Sequence, residues 1–414
     1  MGRLVYEKQD LCARSGSGFA SKEPDRRTWK GKVGVTQRKR ALFLINSLVA
    51  GGAERVMCTL LRHSVPERDE FDIHLGLLDE ESSDNTPPPW VRVHRLDCRF
   101  STARSIAAVR RLYADLQPDV SLSFLTRANI AAVLSARTPC VISARSHTSH
   151  HLSKGLRGAL TRTVVRTIYP RAAKIIAVSN GVERDLRDNF GLPQEKLISI
   201  PNPVDVEEIR RQAAETLPVS IDGPFILSAG RLVSVKNFPM LLRAFAVAGE
   251  GRKLVIAGEG EARSSLEALA RELGIADRVV FPGFVSNPYP LMAAAEMFIL
   301  SSDSEGYPNA LIEAMAVGRP VIATNCDSGP SQILAGQPRA SIHGLTYAEH
   351  GILTPVGDMA AMVTAMRALA DPNKRIEYGK KGRERAESFS AASIKDRYWN
   401  VLRAAMDATP AQRR

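Results

Sequence analysis

The chain has 414 residues, 44% of them apolar and 24% charged, which is typical of a soluble globular protein with two or three domains. No apolar run is long enough to span a bilayer, and the five scattered cysteines have neither metal-ligand nor redox spacing, so reduced thiols in a cytosolic protein are expected. The net charge of +12 arises within residues 1–203, and residues 85–180 hold 15 basic but only 3 acidic side chains. This half is therefore expected to meet an anion: nucleic acid, a phosphorylated substrate or an acidic membrane face.

The elements follow in chain order. Residues 1–39 are polar and basic, without the apolar segment of a secretory signal, and are expected to form a poorly ordered extension. From Ala41 onward, short β-rich apolar runs alternate with helical patterns, which predicts βαβ units and parallel sheets. The strands predicted in the first half are Ala41–Asn46, Phe71–Leu78, Val120–Phe124, Cys140–Ser143 and Lys174–Val178.

The segment Ser199–Val204 contains two prolines and indicates a domain boundary. The strands predicted beyond it are Phe225–Ala229, Lys253–Ala257, Val279–Pro282, Met297–Leu300 and Val321–Thr324. The expected fold class is α/β, with two doubly wound, Rossmann-like domains (residues 40–203 and 204–388) facing a central cleft. Residues 389–414 are expected to form a C-terminal helix that crosses back to the first domain.

Three segments of the first domain are candidates for binding. In Ser47–Arg55 (SLVAGGAER), Gly51 and Gly52 follow the first strand, where backbone amides can approach a phosphate or a sugar; a flexible turn is the alternative. In SARSHTSHH, which starts at Ser143, Arg145 and His147 follow a predicted strand. His147, His150 and His151 lack a neighbouring carboxylate or cysteine, so a polar loop is favoured over a metal site.

The third segment, Ser153–Lys174, has six cations and no acid. Leu156, Leu160, Val164 and Ile168 recur at helical spacing and predict an apolar stripe. The helix fits an anionic membrane surface or the diphosphate of a lipid-linked acceptor. A helix packed on the sheet with an ordinary solvated face fits equally well.

In the second domain, the strand ending at Leu300 leads into a polar loop and then into a helix that begins near Pro308. The free amides of Asn309 and Ala310 at a helix start favour a diphosphate. Glu305 and Glu313 flank this anion site, where a carboxylate is useful for accepting hydrogen bonds from the hydroxyls of a sugar and a ribose. The same loop contains Gly306, which permits close approach of the backbone to a ligand, and Tyr307.

Residues 228–236 (SAGRLVSVK) follow another strand of this domain. Gly230 opens the turn, and Arg231 and Lys236 are placed to reach the same sheet edge. Two fixed cations suit a departing nucleoside diphosphate, although solvated loop cations are the ordinary alternative.

The motifs EGYPNALIEAMA, GRLVSVKN, AGEGE (Ala257–Glu261) and VSNG (Val178–Gly181) together resemble the family 4 retaining glycosyltransferases of the GT-B fold, over residues 40–405. The resemblance implies that Glu305 contacts the donor sugar, Glu313 the ribose, and Arg231 and Lys236 the diphosphate. It also implies catalysis without a divalent metal, and the sequence lacks an Asp-x-Asp motif. No cofactor is expected beyond the nucleotide-sugar donor.

The GGAER motif is similar to the members that assemble surface glycans on lipid carriers from UDP-sugars. Many relatives have a histidine near the position of Arg145, and the GGAER type often has Glu-Arg-Asn, so Ala144-Arg145-Ser146 departs from both patterns. Either Arg145 or His147 is expected to approach the anomeric carbon. Gln332 stands where relatives commonly have glutamate.

The sequence therefore predicts a hexosyltransferase for polysaccharide biosynthesis that uses a lipid-linked or glycan acceptor on the inner face of the cell membrane. The predicted catalytic residues are Arg231, Lys236, Glu305, Arg145 and His147, and the predicted donor-binding residues are Gly51, Gly52, Gly230, Gly306, Tyr307, Asn309, Ala310 and Glu313. A UDP-sugar epimerase of the same fold is the alternative. A nucleic-acid-binding protein, suggested by the pI of 9.6, is disfavoured by the neutral second half and the lack of a recognised motif.

Overall fold

The computed structural model describes residues 38–49, 51–80, 85–151 and 156–408. The predicted extension lies outside these residues except for Arg38 and Lys39, and so do residues 153–155 of the basic segment. The architecture given below is that of the described residues. They form two lobes, each built on one sheet, which are joined by two adjacent crossings of the chain.

The sheet of the first lobe has seven parallel strands within the described residues, in the order β3-β2-β1-β4-β5-β6-β7. Its central strands are buried along nearly their whole length, because helices cover both faces. The strands are β1 Lys39–Ile45, β2 Phe71–Leu77, β3 Arg92–Arg95, β4 Val120–Phe124, β5 Cys140–Ala144, β6 Lys174–Ala177 and β7 Leu197–Ser199. The helices are α1 Gly52–His63, α2 Thr102–Leu116, α3 Thr126–Ser135, α4 Thr148–His151, α5 Leu156–Ile168 and α6 Asn180–Phe190.

The second sheet, again counted over the described residues, has the strand order β10-β9-β8-β11-β12-β14-β13, and its last strand is antiparallel. The strands are β8 Phe225–Ala229, β9 Lys253–Ala257, β10 Val279–Gly283, β11 Met297–Leu300, β12 Val321–Thr324, β13 Thr346–Ala348 and β14 Gly351–Thr354. The helices are α7 Val206–Ala213, α8 Phe238–Ala248, α9 Arg263–Glu272, α10 Tyr289–Ala294, α11 Asn309–Ala316, α12 Pro330–Leu334, α13 Met359–Ala368, α14 Pro372–Glu387 and α15 Ala391–Asp407.

The two crossings between the lobes run side by side. The amide of Val204 donates to the carbonyl of Phe389 at 2.9 Å, and the amide of Ala391 donates back to Val204 at 2.9 Å. Helix α15 then packs on the first sheet, where Tyr398 and Trp399 are fully buried. The last helix in sequence thus belongs to the core of the first lobe.

The predicted fold class is confirmed, and each of the ten predicted strands is present to within one or two residues at its ends. The prediction missed β3, β7, β13 and β14. The sequence of β3 is RVHR, with both arginines exposed at a sheet edge, so it lacks the apolar run of a buried strand. Strands β7 and β13 have only three residues, too few to establish a period, and the prediction also missed the four-residue strand β14.

Candidate active site

The carboxyl ends of β8 and β11 bring together two of the predicted site residues. These strands are neighbours in the second sheet, and the loops that follow them carry Lys236 and Glu305. The ammonium of Lys236 lies 2.6 Å from Oε1 of Glu305, which also accepts a hydrogen bond of 2.6 Å from the hydroxyl of Ser302. The two side chains are only 20% and 11% exposed, so this is a fixed pair at the edge of the cleft.

A close approach of the loops after β8 and β9 shapes the same edge. Gly258 has φ = 142°, and a Cβ built there would lie 2.0 Å from the carbonyl oxygen of Gly230. A side chain at this position would therefore push the two loops apart. The neighbouring Arg231 is exposed, and its charge helps to offset the effect of burial on the Glu54 carboxyl of the first lobe.

The amino terminus of α11 faces the first lobe. Pro308 caps the helix without a side-chain hydrogen bond, and Asn309 and Ala310 are half-buried. In the loop before it, a Cβ on Gly306 would lie 2.3 Å from the carbonyl oxygen of Arg145. The two lobes therefore touch beside the helix start, and only glycine fits there.

The Tyr307 ring is turned away from the cleft. It is buried and packs edge-on against Phe389, with ring centroids 6.1 Å apart. Burial raises the pKa of its phenol far above the usual range. The side chain of Tyr307, which the sequence predicted to bind the donor, is therefore part of the core.

Glu313 forms an ion pair across the lobes. Its carboxylate is 6% exposed and lies 2.9 Å from Nη1 of Arg55 in α1, which also donates to the hydroxyl of Tyr289 at 3.4 Å. The charge of Glu313 raises the pKa of Arg55 above its usual value. Arg55 was not among the predicted site residues, although it is the last residue of the GGAER motif.

Gly51 and Gly52 lie opposite the start of α11. A Cβ on Gly52 would be 3.8 Å from the side-chain amide nitrogen of Asn309. A Cβ on Gly51 would overlap the Glu54 carboxylate, which folds back over the loop. Burial raises the pKa of Glu54, while the charge of Arg145 acts in the opposite direction. The tandem glycines thus bring a carboxylate as well as backbone amides to the cleft.

Arg145 is the centre of a polar chain that joins three segments. Its guanidinium donates to the hydroxyl of Tyr398 in α15 at 3.0 Å and to Oδ1 of Asn202 in the first crossing at 2.5 Å. Asn202 in turn donates to Oδ1 of Asn309 at 2.5 Å. The guanidinium also lies over the ring of Phe124, 4.5 Å from its centroid. Burial lowers the pKa of Arg145, and these contacts hold the side chain in place.

His147 is also held from the side. Its ring is buried, with Nδ1 3.1 Å from the hydroxyl of Ser149 and 3.5 Å from the fully buried Asp185 carboxylate. Asp185 accepts from the amide of Ser149 at 3.0 Å, which fixes the short helix α4. The side chains of the other two histidines of the predicted cluster, His150 and His151, lie outside the described residues.

Gln332, at the start of α12, makes another contact between the lobes. Its Oε1 accepts a hydrogen bond of 3.1 Å from the amide of Asn180 in the VSNG segment. Next to it, a Cβ on Gly181 would lie 2.2 Å from the carbonyl oxygen of Asp327. The VSNG segment therefore serves as a contact surface for the second lobe.

Comparison with known proteins identifies the family of this chain. Residues 50–208 match the model described as Glycosyltransferase Family 4, and residues 210–385 match that of Glycosyl transferases group 1. The chain is 30% identical over 374 residues to N-acetylgalactosamine-N,N'-diacetylbacillosaminyl-diphospho-undecaprenol 4-alpha-N-acetylgalactosaminyltransferase of Campylobacter jejuni, covering 86% of this chain and 97% of the relative. The chain belongs to the family 4-type glycosyltransferases.

Solved structures agree on the fold of this glycosyltransferase. Sucrose-phosphate synthase from Thermosynechococcus elongatus superposes with a TM-score of 0.75 at 21% identity, covering 90% of this chain and all of that one. Anabaena HepE in complex with UDP superposes with a TM-score of 0.70 at 20% identity, covering 88% of this chain and all of that one. These likenesses establish the GT-B architecture. The relative named above is a transferase, which does not favour the alternative of a UDP-sugar epimerase.

The basic segment of the glycosyltransferase differs from the predicted stripe. In α5 it is Val165 that is fully buried, followed by Tyr169 just after the helix. Val164 and Ile168 are half-buried, and Leu160 is 66% exposed. The prediction placed the apolar stripe one residue away from the buried face, because a period of four drifts around a helix of 3.6 residues per turn. The side chain of Leu156 lies outside the described residues.

The described residues contain neither a membrane-spanning helix nor a metal-binding cluster. No helix in that part of the glycosyltransferase is long and apolar enough to cross a membrane. No group of three or more His, Cys, Asp and Glu side chains there is arranged to hold a metal ion.

Proposed function

We propose that this glycosyltransferase transfers a hexose or N-acetylhexosamine, with N-acetylgalactosamine favoured, from a UDP-sugar to a lipid-linked glycan during cell-surface polysaccharide biosynthesis. The fixed pair of Lys236 and Glu305 beside the start of α11 carries the proposal. The donor and acceptor classes rest on the name of the Campylobacter relative, and the nucleotide also on the UDP in the HepE structure.

In this proposal the donor diphosphate binds between Arg231, Lys236 and the free amides at the start of α11. As the glycosidic bond to phosphate breaks, charge accumulates on the departing diphosphate, and these groups are already in place to stabilise it. Glu305 accepts hydrogen bonds from sugar hydroxyls while it keeps Lys236 oriented. Glu313, held by Arg55, accepts from the ribose.

We further propose that the anomeric configuration is retained and that the two cations take the role that a divalent ion has in other transferases. Both points follow from the family resemblance. Transfer in excess EDTA should equal transfer in added magnesium, and NMR of the product should give the anomeric configuration of the donor. Loss of transfer in EDTA, or an inverted product, would contradict them.

The donor and acceptor are tested together. Purified protein is incubated with UDP-N-acetylgalactosamine, UDP-N-acetylglucosamine, UDP-galactose, UDP-glucose or GDP-mannose, and with a polyprenyl-diphosphate-linked N-acetylhexosamine. We expect one sugar to be added from a UDP donor and none from GDP-mannose. Conversion of the donor without acceptor, followed by NMR, would instead show an epimerase. Transfer from GDP-mannose alone would overturn the UDP assignment.

We also propose that α5 docks the cytosolic enzyme on the anionic inner face of the membrane. Leu160 is exposed on a helix whose Arg162 and Arg166 are also exposed, a combination that suits an anionic lipid surface. Vesicles of phosphatidylcholine with phosphatidylglycerol should retain the protein, and neutral vesicles should not. Leu160→Asp should reduce retention, whereas Ile376→Asp, at a 72% exposed position of α14, should not.

We also propose that the enzyme has no nucleic-acid partner. Filter binding at physiological salt should detect no complex with duplex DNA, because the second half of the sequence is neutral and contains no recognised nucleic-acid motif. Retention of DNA that resists competition by heparin would revive the nucleic-acid alternative.

A further inference from the structure

The first lobe has a cavity of about 220 Å³ at the carboxyl ends of β1, β2 and β3. Its apolar lining comes from Leu48 after β1, Leu77 at the end of β2, Pro87, and Val93 in β3. Ligands of doubly wound folds bind at this edge of the sheet. The volume is below the ~300–1,000 Å³ of pockets for drug-sized ligands, so a single sugar ring fits better than a nucleotide.

The polar part of the lining is held in place from behind. Asp79 is buried, accepts bidentate hydrogen bonds from Arg127, and accepts from the amide of Phe100 at 2.9 Å. Glu80 and Arg95 are exposed and carry opposite charges. The neutralised Asp79 and this opposed pair leave the cavity without net charge.

That neutrality contrasts with the rest of the lobe. Residues 85–180 have 15 basic and 3 acidic side chains, which suits a diphosphate or an anionic membrane. A diphosphate placed in the cavity itself would meet Glu80. A neutral sugar would instead lay its C–H face on the apolar lining and direct its hydroxyls or acetamido group to Glu80 and Arg95.

The cavity is close to the tandem glycines Gly51 and Gly52. Leu48 precedes Gly51 by three residues, so their Cα atoms are at most ~10 Å apart. The side chain of Asn85 donates to the carbonyl of Leu48 at 3.1 Å and ties this segment to the cavity wall. A short glycan seated in the cavity can therefore extend a terminal hydroxyl toward Gly51 and Gly52.

We infer that this cavity binds a neutral sugar residue of the acceptor glycan, separately from the site for its diphosphate. The inference rests on the proposed function and adds a specificity subsite to it. Chain length and sugar identity of the acceptor would then be read by Val93, Glu80 and Arg95, whereas the basic surface would hold the lipid diphosphate.

Two variants of β3 test the subsite. Val93→Phe fills the cavity, and Arg95→Ala removes its cation. Arg92→Ala is the matched control, because Arg92 is an exposed arginine of the same strand that lies on the opposite face by strand alternation. We expect the first two to raise KM for the lipid-linked N-acetylhexosamine about tenfold and to leave KM for the UDP-sugar unchanged, as loss of a fitted pocket does. The control should change neither constant.

A second measurement separates the glycan from the diphosphate. The methyl glycoside of an N-acetylhexosamine disaccharide should inhibit wild-type transfer competitively against the acceptor, and should no longer do so with Val93→Phe. Inorganic pyrophosphate should inhibit both proteins equally. Normal acceptor KM in the cavity variants, or equal inhibition of both proteins by the glycoside, would overturn the inference. Absence of transfer by the wild type with any UDP-sugar would instead contradict the proposed function, and binding of UDP by calorimetry would show that such protein is folded.

Discussion

The two lobes carry their sites in different ways. In the second lobe, Lys236 and Glu305 follow neighbouring strands, and Glu313 comes one helical turn after the start of α11. In the first lobe, the side chains around the cavity come from segments 48 residues apart, as with Asp79 and Arg127. Stabilising a departing diphosphate requires a few charges at fixed positions, which the loops after two neighbouring strands can supply. Recognition of a variable acceptor draws on many loops of the scaffold.

The lobes also differ in how their cores are completed. The sheet of the second lobe is covered by helices from its own stretch of sequence, whereas the first sheet packs against α15 from the far end of the chain. Trp399 lies between Phe71 and Phe43, with ring centroids 4.8 and 5.7 Å away, and its indole nitrogen donates to the hydroxyl of Ser64 at 2.8 Å. The first lobe therefore depends on the chain having passed through the second.

The largest expected effect tests that dependence. Trp399→Ala should lower the free energy of unfolding by about 3–5 kcal/mol, because it removes a fully buried aromatic side chain. The loss should appear in urea unfolding and as faster hydrogen exchange in β1 and β2, with β8 and β9 unchanged.

The control for this prediction is Trp399→Phe. It keeps most of the buried ring and loses the bond to Ser64, so a smaller loss is expected. Equal acceleration of exchange in both sheets by Trp399→Ala would show that the lobes unfold as one unit, contrary to the comparison.

The next effect concerns the charges that we propose to hold the donor. Lys236→Ala should reduce turnover about 10²-fold or more, because a positioned donor to the developing charge is lost and Glu305 is left without its cation. Lys253→Ala is the control, since Lys253 begins β9 at the opposite end of the sheet. Turnover is measured as the steady-state rate at saturating donor. Unchanged turnover in Lys236→Ala would remove this residue from the mechanism.

A smaller effect is expected where the lobes meet through Arg55 and Glu313. Arg55→Ala should raise KM for the UDP-sugar about fivefold, since an ion pair with one partly exposed partner is worth ~1 kcal/mol and this pair orients the carboxylate that we propose to bind the ribose. Arg55→Lys should recover part of the loss. A donor KM that does not move, together with an altered KM for the acceptor, would place Arg55 on the acceptor side of the cleft.

The sequence predicted the local elements around the candidate site better than the contacts between distant segments, for a physical reason. Strand periodicity and the turn chemistry at Pro308 are local signals, so the strands and the helix start could be predicted from neighbouring residues alone. The sequence placed Lys236 and Glu305 in loops after two strands of the second domain, but it did not predict that they pair, since they lie 69 residues apart. Contacts between distant segments leave no such local pattern.

Arg145 shows what could not be predicted from the sequence. The sequence placed it after a strand, near a position that touches the donor in relatives. In the structure, its guanidinium donates hydrogen bonds to Tyr398 and Asn202, which lie 253 and 57 residues away along the chain. Tyr307 is similar, because its partner Phe389 belongs to the second crossing. Spacing along the chain gives no information about such partners, which only the packing of α15 and the crossings defines.

The smallest effect concerns a histidine pair at the edge of the first sheet. Nδ1 of His74 in β2 lies 2.9 Å from Nε2 of His94 in β3, and Asp72 and Arg92 flank the pair. The pKa of both rings is lowered, mainly by burial. The unfolded chain therefore takes up protons at a pH where the folded first lobe does not, so stability is lost as pH falls below the ordinary histidine range near 6.5.

Urea midpoints between pH 7.5 and 5.5 measure this loss, and the double variant His74→Gln with His94→Gln should show a flatter dependence than wild type. His343→Gln is the control variant, because His343 is exposed in the second lobe, outside any helix or strand. If the double variant retains the full slope, the acid sensitivity belongs to other groups. Hydrogen exchange in β2 and β3 would then increase at the same pH as exchange in β8, and the two lobes would respond to acid together.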